Sequence, residues 1–155
     1  MPGAWEVQNV GRVLVGILHT DVTTMAWSLG LRQLQVPGNI LPVAGMPYDM
    51  ARNKINQAAL EGGFDFVFHL DSDVIPPPDT ILRLMQHNQP IISGVYCRRS
   101  PPHGLPVMIK DGQWVTQYPQ NSIIDVDVVG AGCLLLRRDL LEHFPPMIVT
   151  GKRQI

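Results

Sequence analysis

The apolar residues of this chain alternate between continuous runs and helical spacings. A run rich in β-branched residues lies within residues 12–20 and is typical of a strand buried on both faces. Residues 23–35 follow with the looser apolar spacing of a helix. A short strand at 38–45, a helix at 48–63 and an apolar strand at 64–70 repeat the pattern. This alternation predicts a mostly parallel sheet with helices on both faces.

The pattern continues beyond residue 70, although its strands become shorter and weaker. Asp111-Gly112 separates two of these strands and predicts a hairpin turn. The whole chain, residues 1–155, is therefore expected to form one α/β domain, a three-layer α/β/α sandwich with a mixed, mostly parallel central sheet. The later predicted elements are a helix at 78–88, strands at 90–99, 106–110 and 113–118, and a strand, glycine turn and short helix within 123–144.

Composition narrows the class of protein. The chain is 45% hydrophobic and 16% charged, which predicts a folded domain. Its 12 basic and 13 acidic residues leave no dominant charge, and this argues against nucleic-acid binding through a broad basic face. Cys97 and Cys133 lack metal-site spacing and are predicted to be buried thiols. No apolar stretch is long enough to span a membrane, so we expect a cytoplasmic protein.

The stretch HLDSDVIPPP, residues 69–78, carries the strongest chemical signal. Asp71 and Asp73 end a predicted strand, and ligands of α/β sheets bind beyond the carboxyl ends of strands. Mg²⁺ and Mn²⁺ prefer carboxylate oxygens together with substrate phosphates. The prolines at 76–78 stiffen the chain that follows the acid pair, which lowers the entropic cost of fixing the carboxylates. An isolated D-x-D is more often a charged turn, but this position favours a metal site. His69 is interpreted as a core or supporting histidine rather than a ligand.

The order of segments around the acid pair resembles a known family. Residues 51–99 contain an Ala-Arg-Asn segment that opens a helix, a strand ending in D-x-D, a second helix and an ISGVY strand. This order resembles the nucleotide-sugar-binding half of GT-A-fold glycosyltransferases, particularly glycosyltransferase family 2 and its phage and prokaryotic relatives. Residues 126–141, VDVVGAGCLLLRRDLL, are similar to the strand and turn on the acceptor side. The resemblance covers most of residues 12–143 and implies a GT-A-like fold.

The resemblance also implies roles for individual residues. Asp73 would coordinate a divalent cation, Mn²⁺ or Mg²⁺, that bridges the diphosphate of a sugar donor. Asp71 would contact the ribose or share the metal through water. Thr20 and Asp21 would lie beside the nucleobase and ribose. The other implied substrate-binding residues are Arg52 and Asn53, which frame the nucleotide pocket, and Gly130, Ala131 and Gly132, whose turn would let donor and acceptor sugars approach the backbone.

Structural roles compete with several of these assignments. Asp21 could cap the helix that follows it. Arg52 could be a surface ion-pair partner, and Asn53 could belong to a solvated helix face. The 130–132 turn could serve close packing alone. The arginines at 98–99 could neutralise phosphate, but they are interpreted as the polar end of a strand.

The implied reaction needs a catalytic base, and the sequence has no acidic residue at the position where the family carries it. A cation on the diphosphate makes the nucleotide a better leaving group, and a carboxylate base assists the attacking hydroxyl. Family 2 enzymes invert the anomeric centre with a base well downstream of the acceptor turn, and a late histidine often completes their metal site. Here no acid follows Glu142. We therefore expect that the C-terminal part of the usual domain is missing. The remaining candidate bases are Asp125, Asp127, Asp139 and Glu142, of which Asp127 is the one to test.

The expected function is metal-dependent, inverting transfer of a sugar from a UDP- or GDP-linked donor to a hydroxyl of a glycan or other acceptor. A binding-only relative that keeps the donor pocket without the base is the alternative. A nucleotidyltransferase or dinucleotide oxidoreductase is disfavoured, because HTDVTT at 19–24 contains no glycine or lysine. Apolar surface left by a missing region makes a homo-oligomer a further hypothesis.

Overall fold

The computed structural model describes residues 11–35, 38–101 and 104–144. The predicted elements are present, but the strands predicted at 90–99, at 113–118 and within 123–144 are several residues shorter than expected. In chain order the elements are β1 (Val13–Leu18), α1 (Met25–Gln33), β2 (Gly38–Val43), α2 (Tyr48–Glu61), β3 (Phe66–Asp71), α3 (Thr80–Gln86), β4 (Ile91–Ser93), β5 (Met108–Lys110), β6 (Gln113–Trp114), β7 (Val128–Val129), β8 (Cys133–Arg137) and α4 (Arg138–His143).

The central sheet has five strands in the order β2-β1-β3-β8-β4. Strand β1 pairs in parallel with β2 and with β3, whereas β8 is antiparallel to β3 and to β4. Strand β4 therefore runs in the same direction as β1, β2 and β3, and only β8 is reversed. The prediction of a mixed, mostly parallel sheet is confirmed.

Buried clusters on the two faces of the sheet make the structure a three-layer sandwich. On one face Trp27 of α1 and Ile81 of α3 pack against the strands. On the other face Ile55 of α2 and Leu141 of α4 do so. Gly16 of β1 lets α2 approach closely, because a Cβ at that position would overlap the Ile55 side chain. Helices on both faces confirm the predicted α/β/α architecture.

A second, three-stranded sheet with the order β6-β5-β7 lies between β4 and β8 in the chain. Asp111 and Gly112 connect β5 to β6 with φ angles of 51° and 73°. Two consecutive left-handed residues are what a two-residue hairpin of the primed type requires, so the predicted hairpin is confirmed. Strand β7 then leads through the 130–132 turn into β8.

The helix ends agree in part with the sequence predictions. Helix α1 is capped by Thr24, whose hydroxyl accepts the Trp27 N–H at 3.1 Å, so the alternative that Asp21 caps this helix is wrong. Thr24 lies directly before the first helical turn, where a cap side chain can reach the free N–H groups. Helix α2 ends at Glu61, with Gly62 as its C-terminal cap, close to the end of the helix predicted over 48–63.

The two cysteines differ in their surroundings. Cys133 is buried, and burial raises the pKa of its thiol to about 11. Cys97 is exposed, so the prediction that both thiols are buried is wrong for this residue. Strand β4 ends at Ser93, and Cys97 forms only an isolated bridge with Pro106 outside the central sheet.

None of the helices in the described ranges is long and apolar enough to cross a bilayer. The longest, α2, has 14 residues and is polar on average. The expectation that the C-terminal part of the domain is missing rests on the residues after Glu142. Most of them, residues 145–155, lie outside the described residues.

Candidate functional site

The three parallel strands end side by side, and the acid pair lies at that edge. The sheet register places Val43 beside Leu18 and Leu18 beside Asp71. Neighbouring strands are separated by about 4.8 Å, so these three strand ends span about 10 Å. Asp71 is the last residue of β3, and Asp73 lies just beyond it. The pair is therefore at the carboxyl edge, where ligands of such sheets bind.

Asp71 is held by contacts from several parts of the fold. Arg52 of α2 donates from Nη2 to Asp71 Oδ1 at 2.8 Å and from Nη1 to the Ala131 carbonyl at 3.0 Å. Trp27 Nε1 donates to the Asp71 carbonyl at 3.1 Å, and the Asp71 N–H donates to the Gly132 carbonyl at 3.1 Å. These contacts tie Asp71 to α1, to α2 and to the 130–132 turn.

A second polar contact between α2 and β3 lies beside the Arg52–Asp71 pair. His69 and Asp71 point to the same face of β3, and Arg52 and Asn56 lie one turn apart on α2. His69 Nε2 is 2.9 Å from Asn56 Oδ1, and because an amide oxygen only accepts, this arrangement assigns the ring proton to Nε2. Burial, together with the Arg52 charge, lowers the pKa of His69 to about 3, so the ring is neutral. This geometry fits its interpretation as a supporting histidine.

The glycines of the 130–132 turn allow close packing against Tyr96 and Asp71. The Tyr96 hydroxyl accepts the Gly132 N–H at 2.9 Å. A Cβ at Gly132 would lie 2.9 Å from Asp71 Oδ2 and 3.0 Å from the Tyr96 hydroxyl, and one at Gly130 would overlap that hydroxyl. Burial raises the pKa of Tyr96, so its hydroxyl keeps a proton to donate. Close packing therefore accounts for both glycines, while acceptor contact stays a prediction.

Asp73 has a very different environment from Asp71. Its Oδ2 lies 3.2 Å from Arg99 Nη1, and the two side chains are 40% and 76% exposed. An exposed pair of this kind contributes little stability and exchanges readily for another partner. Arg99, which the sequence analysis interpreted as the polar end of a strand rather than a phosphate ligand, thus lies beside the acid pair.

The acid pair supplies oxygen donors that fit a cation arriving with an anionic ligand. In the described ranges no group of three or more His, Cys, Asp or Glu side chains is placed to hold a metal ion. Asp71 uses Oδ1 for Arg52, which leaves Oδ2 toward the turn, and Asp73 is accessible. Mg²⁺ commonly takes one or two protein carboxylates and completes its coordination with phosphate oxygens and water, so this donor set fits.

An open groove of about 420 Å³ lies at the carboxyl ends of β1 and β2. Thr20, His19 and the first residue of α2, Tyr48, are among its lining residues, and Tyr48 is 74% exposed. Asp21 is outside the lining and almost fully exposed, with Oδ1 at 4.0 Å from His19 Nδ1. Sequence reasoning missed Tyr48. Its only signal was an aromatic residue directly after Pro47 at a helix start.

Two other predicted residues are placed away from the Asp71 contacts. Asn53 is half-buried on α2, but successive helix residues are rotated by about 100°, so it does not share the face of Arg52. Asp127 Oδ2 accepts the Asp111 N–H at 2.6 Å and thereby holds the hairpin turn. Its role as a catalytic base stays a prediction.

The candidate bases on α4 lie at the opposite edge of the sheet. Strand β8 is antiparallel to β3, with Cys133 beside Leu70 and Arg137 beside Phe66. Helix α4 follows directly after Arg137, so it begins at the end of the sheet remote from Asp71. Its two acids also form ion pairs there. These are Asp139 with Arg137 at 2.7 Å and Glu142 with Arg138 at 2.6 Å.

Fold and site together define an α/β/α protein with a paired-carboxylate site at the carboxyl edge of its parallel strands. The crystal structure of A197 from STIV is similar, with a TM-score of 0.64 and 18% sequence identity over 92% of this chain and 70% of that chain. At this identity the similarity shows the fold alone. No protein-family model and no curated protein matches the chain.

Proposed function

We propose that this protein is a metal-dependent glycosyltransferase of the GT-A type, which transfers a sugar from a nucleoside-diphosphate donor to an acceptor hydroxyl with inversion. One observation carries the proposal. The groove at β1 and β2 and the acid pair at β3 occupy one edge within about 10 Å, a spacing set by two strand separations. That distance suits a nucleoside and the diphosphate attached to it.

The groove is the proposed nucleoside site. Its volume of about 420 Å³ lies within the range of small-ligand pockets. Tyr48 offers an exposed aromatic face on which a base can stack, and Thr20 offers a hydroxyl that can bind ribose. Neither contact distinguishes uracil from guanine, so both UDP- and GDP-linked donors are candidates.

The acid pair is the proposed diphosphate site. Asp73 and the Oδ2 atom of Asp71 would hold Mn²⁺ or Mg²⁺, which would offset the phosphate charge and the charge that develops on the leaving nucleotide. Arg52 keeps Asp71 in position, and burial together with the Arg52 charge keeps the neighbouring His69 neutral. Arg99 lies close enough to exchange its contact with Asp73 for a phosphate oxygen.

A specific observation favours a second candidate, a binding-only relative. Asp127 is engaged with the Asp111 N–H, and the two acids of α4 lie at the far edge of the sheet. Each of these acids would have to leave its contact, or its end of the sheet, to reach an acceptor hydroxyl. Donor binding without transfer is therefore the alternative outcome.

Calorimetric titration of UDP and GDP, with and without Mn²⁺, tests donor binding. The protein, its Asp73→Asn variant and the control Glu61→Gln are compared, since Glu61 is an exposed acid at the C-terminal end of α2. We expect binding that needs the metal, is lost in Asp73→Asn and is unchanged in Glu61→Gln. Absence of binding under every condition would contradict the proposal.

Release of UDP from a UDP-sugar distinguishes transfer from binding alone. We expect the protein to release UDP above the level of Asp73→Asn when an acceptor is present. Metal-dependent binding without any release would instead support the binding-only candidate. Loss of release in Asp127→Asn, with binding retained, would identify Asp127 as the base.

A further inference from the structure

A second groove lies on the other side of the acid pair from the proposed nucleoside site. Across the sheet order, the first groove covers β2 and β1, Asp71 ends β3, and the second groove covers β8 and β4. It has a volume of about 330 Å³. Its walls are residues 74–77, which directly follow the acid pair, residues 94–96, which follow β4, and one side of α3. The groove is therefore built from the continuation of the acid-pair loop.

Most of the residues that line this second groove are apolar. Ile75 and Val95 are half exposed on its two walls, at 52% and 51%. Pro76, Pro77 and the ring of Tyr96 add flat surfaces that pack well against a ring. Exposed apolar side chains gathered around a concave surface are a common mark of a ligand site.

Among the polar residues of the lining, Arg83 on α3 carries a positive charge. Arg83 on α3 and His87, the residue directly after that helix, lie one turn apart and both line the groove, with Thr80 one turn before Arg83. Within residues 11–35, 38–101 and 104–144, no carboxylate forms an ion pair with Arg83. The groove thus combines apolar walls with the guanidinium group of Arg83, which is available to an anionic ligand.

Tyr96 connects this groove to the acid pair. Its ring lines the groove, and its hydroxyl accepts the Gly132 N–H beside Asp71. Cys133, also in the lining, lies next to Leu70, the residue before Asp71. A molecule in the groove therefore lies within reach of the centre where the sugar would be transferred.

We propose that the second groove binds the acceptor, and that the acceptor is a small molecule with an apolar ring, a hydroxyl and a negatively charged group. This inference rests on the proposed function. The groove volume of about 330 Å³ lies near the lower end of the range of small-ligand pockets, which suits a substituted ring rather than a long chain. The ring packs between Ile75 and Val95, and the anion pairs with Arg83.

The bonds formed and broken in the proposed sugar transfer are as follows. The acceptor hydroxyl oxygen forms the new bond to the anomeric carbon while the bond from that carbon to the diphosphate oxygen breaks. The diphosphate leaves with the bonding electrons, and the hydroxyl proton passes to a carboxylate base. The negative group at Arg83 takes no part in the chemistry and serves to orient the ring.

Binding of three ring compounds to the whole chain tests the proposal. The probes are 4-hydroxybenzoate, phenyl phosphate and the uncharged methyl 4-hydroxybenzoate, measured by ligand-detected NMR titration. We expect at least one anion to bind with a Kd of about 1 mM or tighter and the ester about tenfold more weakly. The stronger of the two anions shows whether a carboxylate or a phosphate is preferred.

Variants of the groove assign the binding to these residues. Arg83→Gln should weaken binding of the anion about fivefold, as expected for an exposed ion pair. The matched control Arg32→Gln, an exposed arginine on α1 outside the groove, should leave it unchanged. Val95→Trp should block binding, because a larger side chain at this exposed wall fills the space without entering the core.

Three results would overturn the inference. These are failure of both anions to bind, equal binding of the neutral ester, and equal effects of Arg83→Gln and Arg32→Gln. UDP binding with Mn²⁺ on the same samples separates the two proposals. UDP binding without anion binding overturns only the acceptor groove. Anion binding without UDP binding overturns the proposed function and, with it, the assignment of this ligand as an acceptor.

Discussion

The two aspartates of the acid pair belong to regions that are built in opposite ways. Asp71 belongs to the α2–β3 contact, in which Arg52 pairs with Asp71 and Asn56 pairs with His69. His69 is 1% exposed, and the side chains of Arg52 and Asp71 are 23% and 33% exposed. Asp73 belongs to what we call the loop contact, its ion pair with Arg99, in which both side chains are exposed.

This difference separates a fixed group from an exchangeable one. Contacts from a helix, a strand and a turn set the position of Asp71 before any ligand arrives, which lowers the entropic cost of binding. Among the described residues, Asp73 pairs with the exposed Arg99, and a cation can replace that arginine at little cost. On the proposed function, Asp71 would hold a fixed position for the cation, and Asp73 would exchange Arg99 for it.

Removal of Arg52 should have the largest effect, because it breaks the α2–β3 contact. In Arg52→Ala, Asp71 and the Ala131 carbonyl lose their partner while partly buried. We expect a loss of about 2–3 kcal/mol in the free energy of unfolding, somewhat below the loss for a fully buried pair. Urea unfolding measures this change. The exposed neighbour Lys54→Ala is the control and should change stability by less than about 0.5 kcal/mol. Equal losses of stability in both variants would show that the contacts of Arg52 do not stabilise the fold more than an exposed residue of α2 does.

The same contact should make stability depend on pH through His69. The pKa of His69 is lowered from 6.5 to about 3 in the folded protein, so between these values the unfolded chain binds a proton that the folded chain excludes. Stability is therefore fully present above pH 6.5 and falls by about 1.4 kcal/mol per pH unit toward pH 3. At pH 5 the loss due to this group is about 2 kcal/mol.

Urea unfolding between pH 7 and pH 5 measures this dependence. His69→Gln has no titrating ring and should lose the slope, whereas the exposed control His143→Gln should retain it. A slope that is the same in the wild type and in His69→Gln would mean that His69 accepts a proton in the folded state.

A methyl group at Gly132 should disturb the place where the 130–132 turn meets the α2–β3 contact. The Cβ of Gly132→Ala would lie 2.9 Å from Asp71 Oδ2 and 3.0 Å from the Tyr96 hydroxyl. We expect a loss of about 1–2 kcal/mol from overpacking, measured by urea unfolding. Tyr96→Phe removes the hydroxyl, one of the three crowded atoms, so the double variant should lose less than the sum of the single losses. Strict additivity would show that Tyr96 is not the obstacle.

Much of the fold could be predicted, because hydrophobic period and strand length are local properties. The apolar run before Asp71 predicted that the acid pair would lie at the carboxyl edge, and the structure places it there. The partners could not be predicted, because they depend on how distant segments pack. Arg52 lies 19 residues from Asp71, and Asp127 lies 16 residues from the turn that it holds. The exposure of Cys97 was missed for the same reason, since β4 ends earlier than its apolar pattern suggests.

Removal of Arg99 should have the smallest effect on stability and a visible effect on metal binding. Because both side chains of the loop contact are exposed, Arg99→Ala should change the free energy of unfolding by at most about 0.5 kcal/mol. On the proposed function, Asp73 then no longer has to leave Arg99 to bind a cation. We therefore expect Mn²⁺ affinity, measured by calorimetry without UDP so that a contact of Arg99 with phosphate does not contribute, to rise about two- to fivefold.

The neighbouring variant Arg98→Ala serves as the control for Arg99→Ala. It removes the guanidinium 5.3 Å from the Trp114 ring centroid but leaves Asp73 with its partner, so Mn²⁺ affinity should not change. Equal affinities in the two variants would show that Arg99 does not compete with the cation. A stability loss as large as that of Arg52→Ala would show that the loop contact is as much a part of the fold as the α2–β3 contact. Asp73 would then be a second fixed group, and the exchangeable ligand would have to be sought elsewhere at the edge.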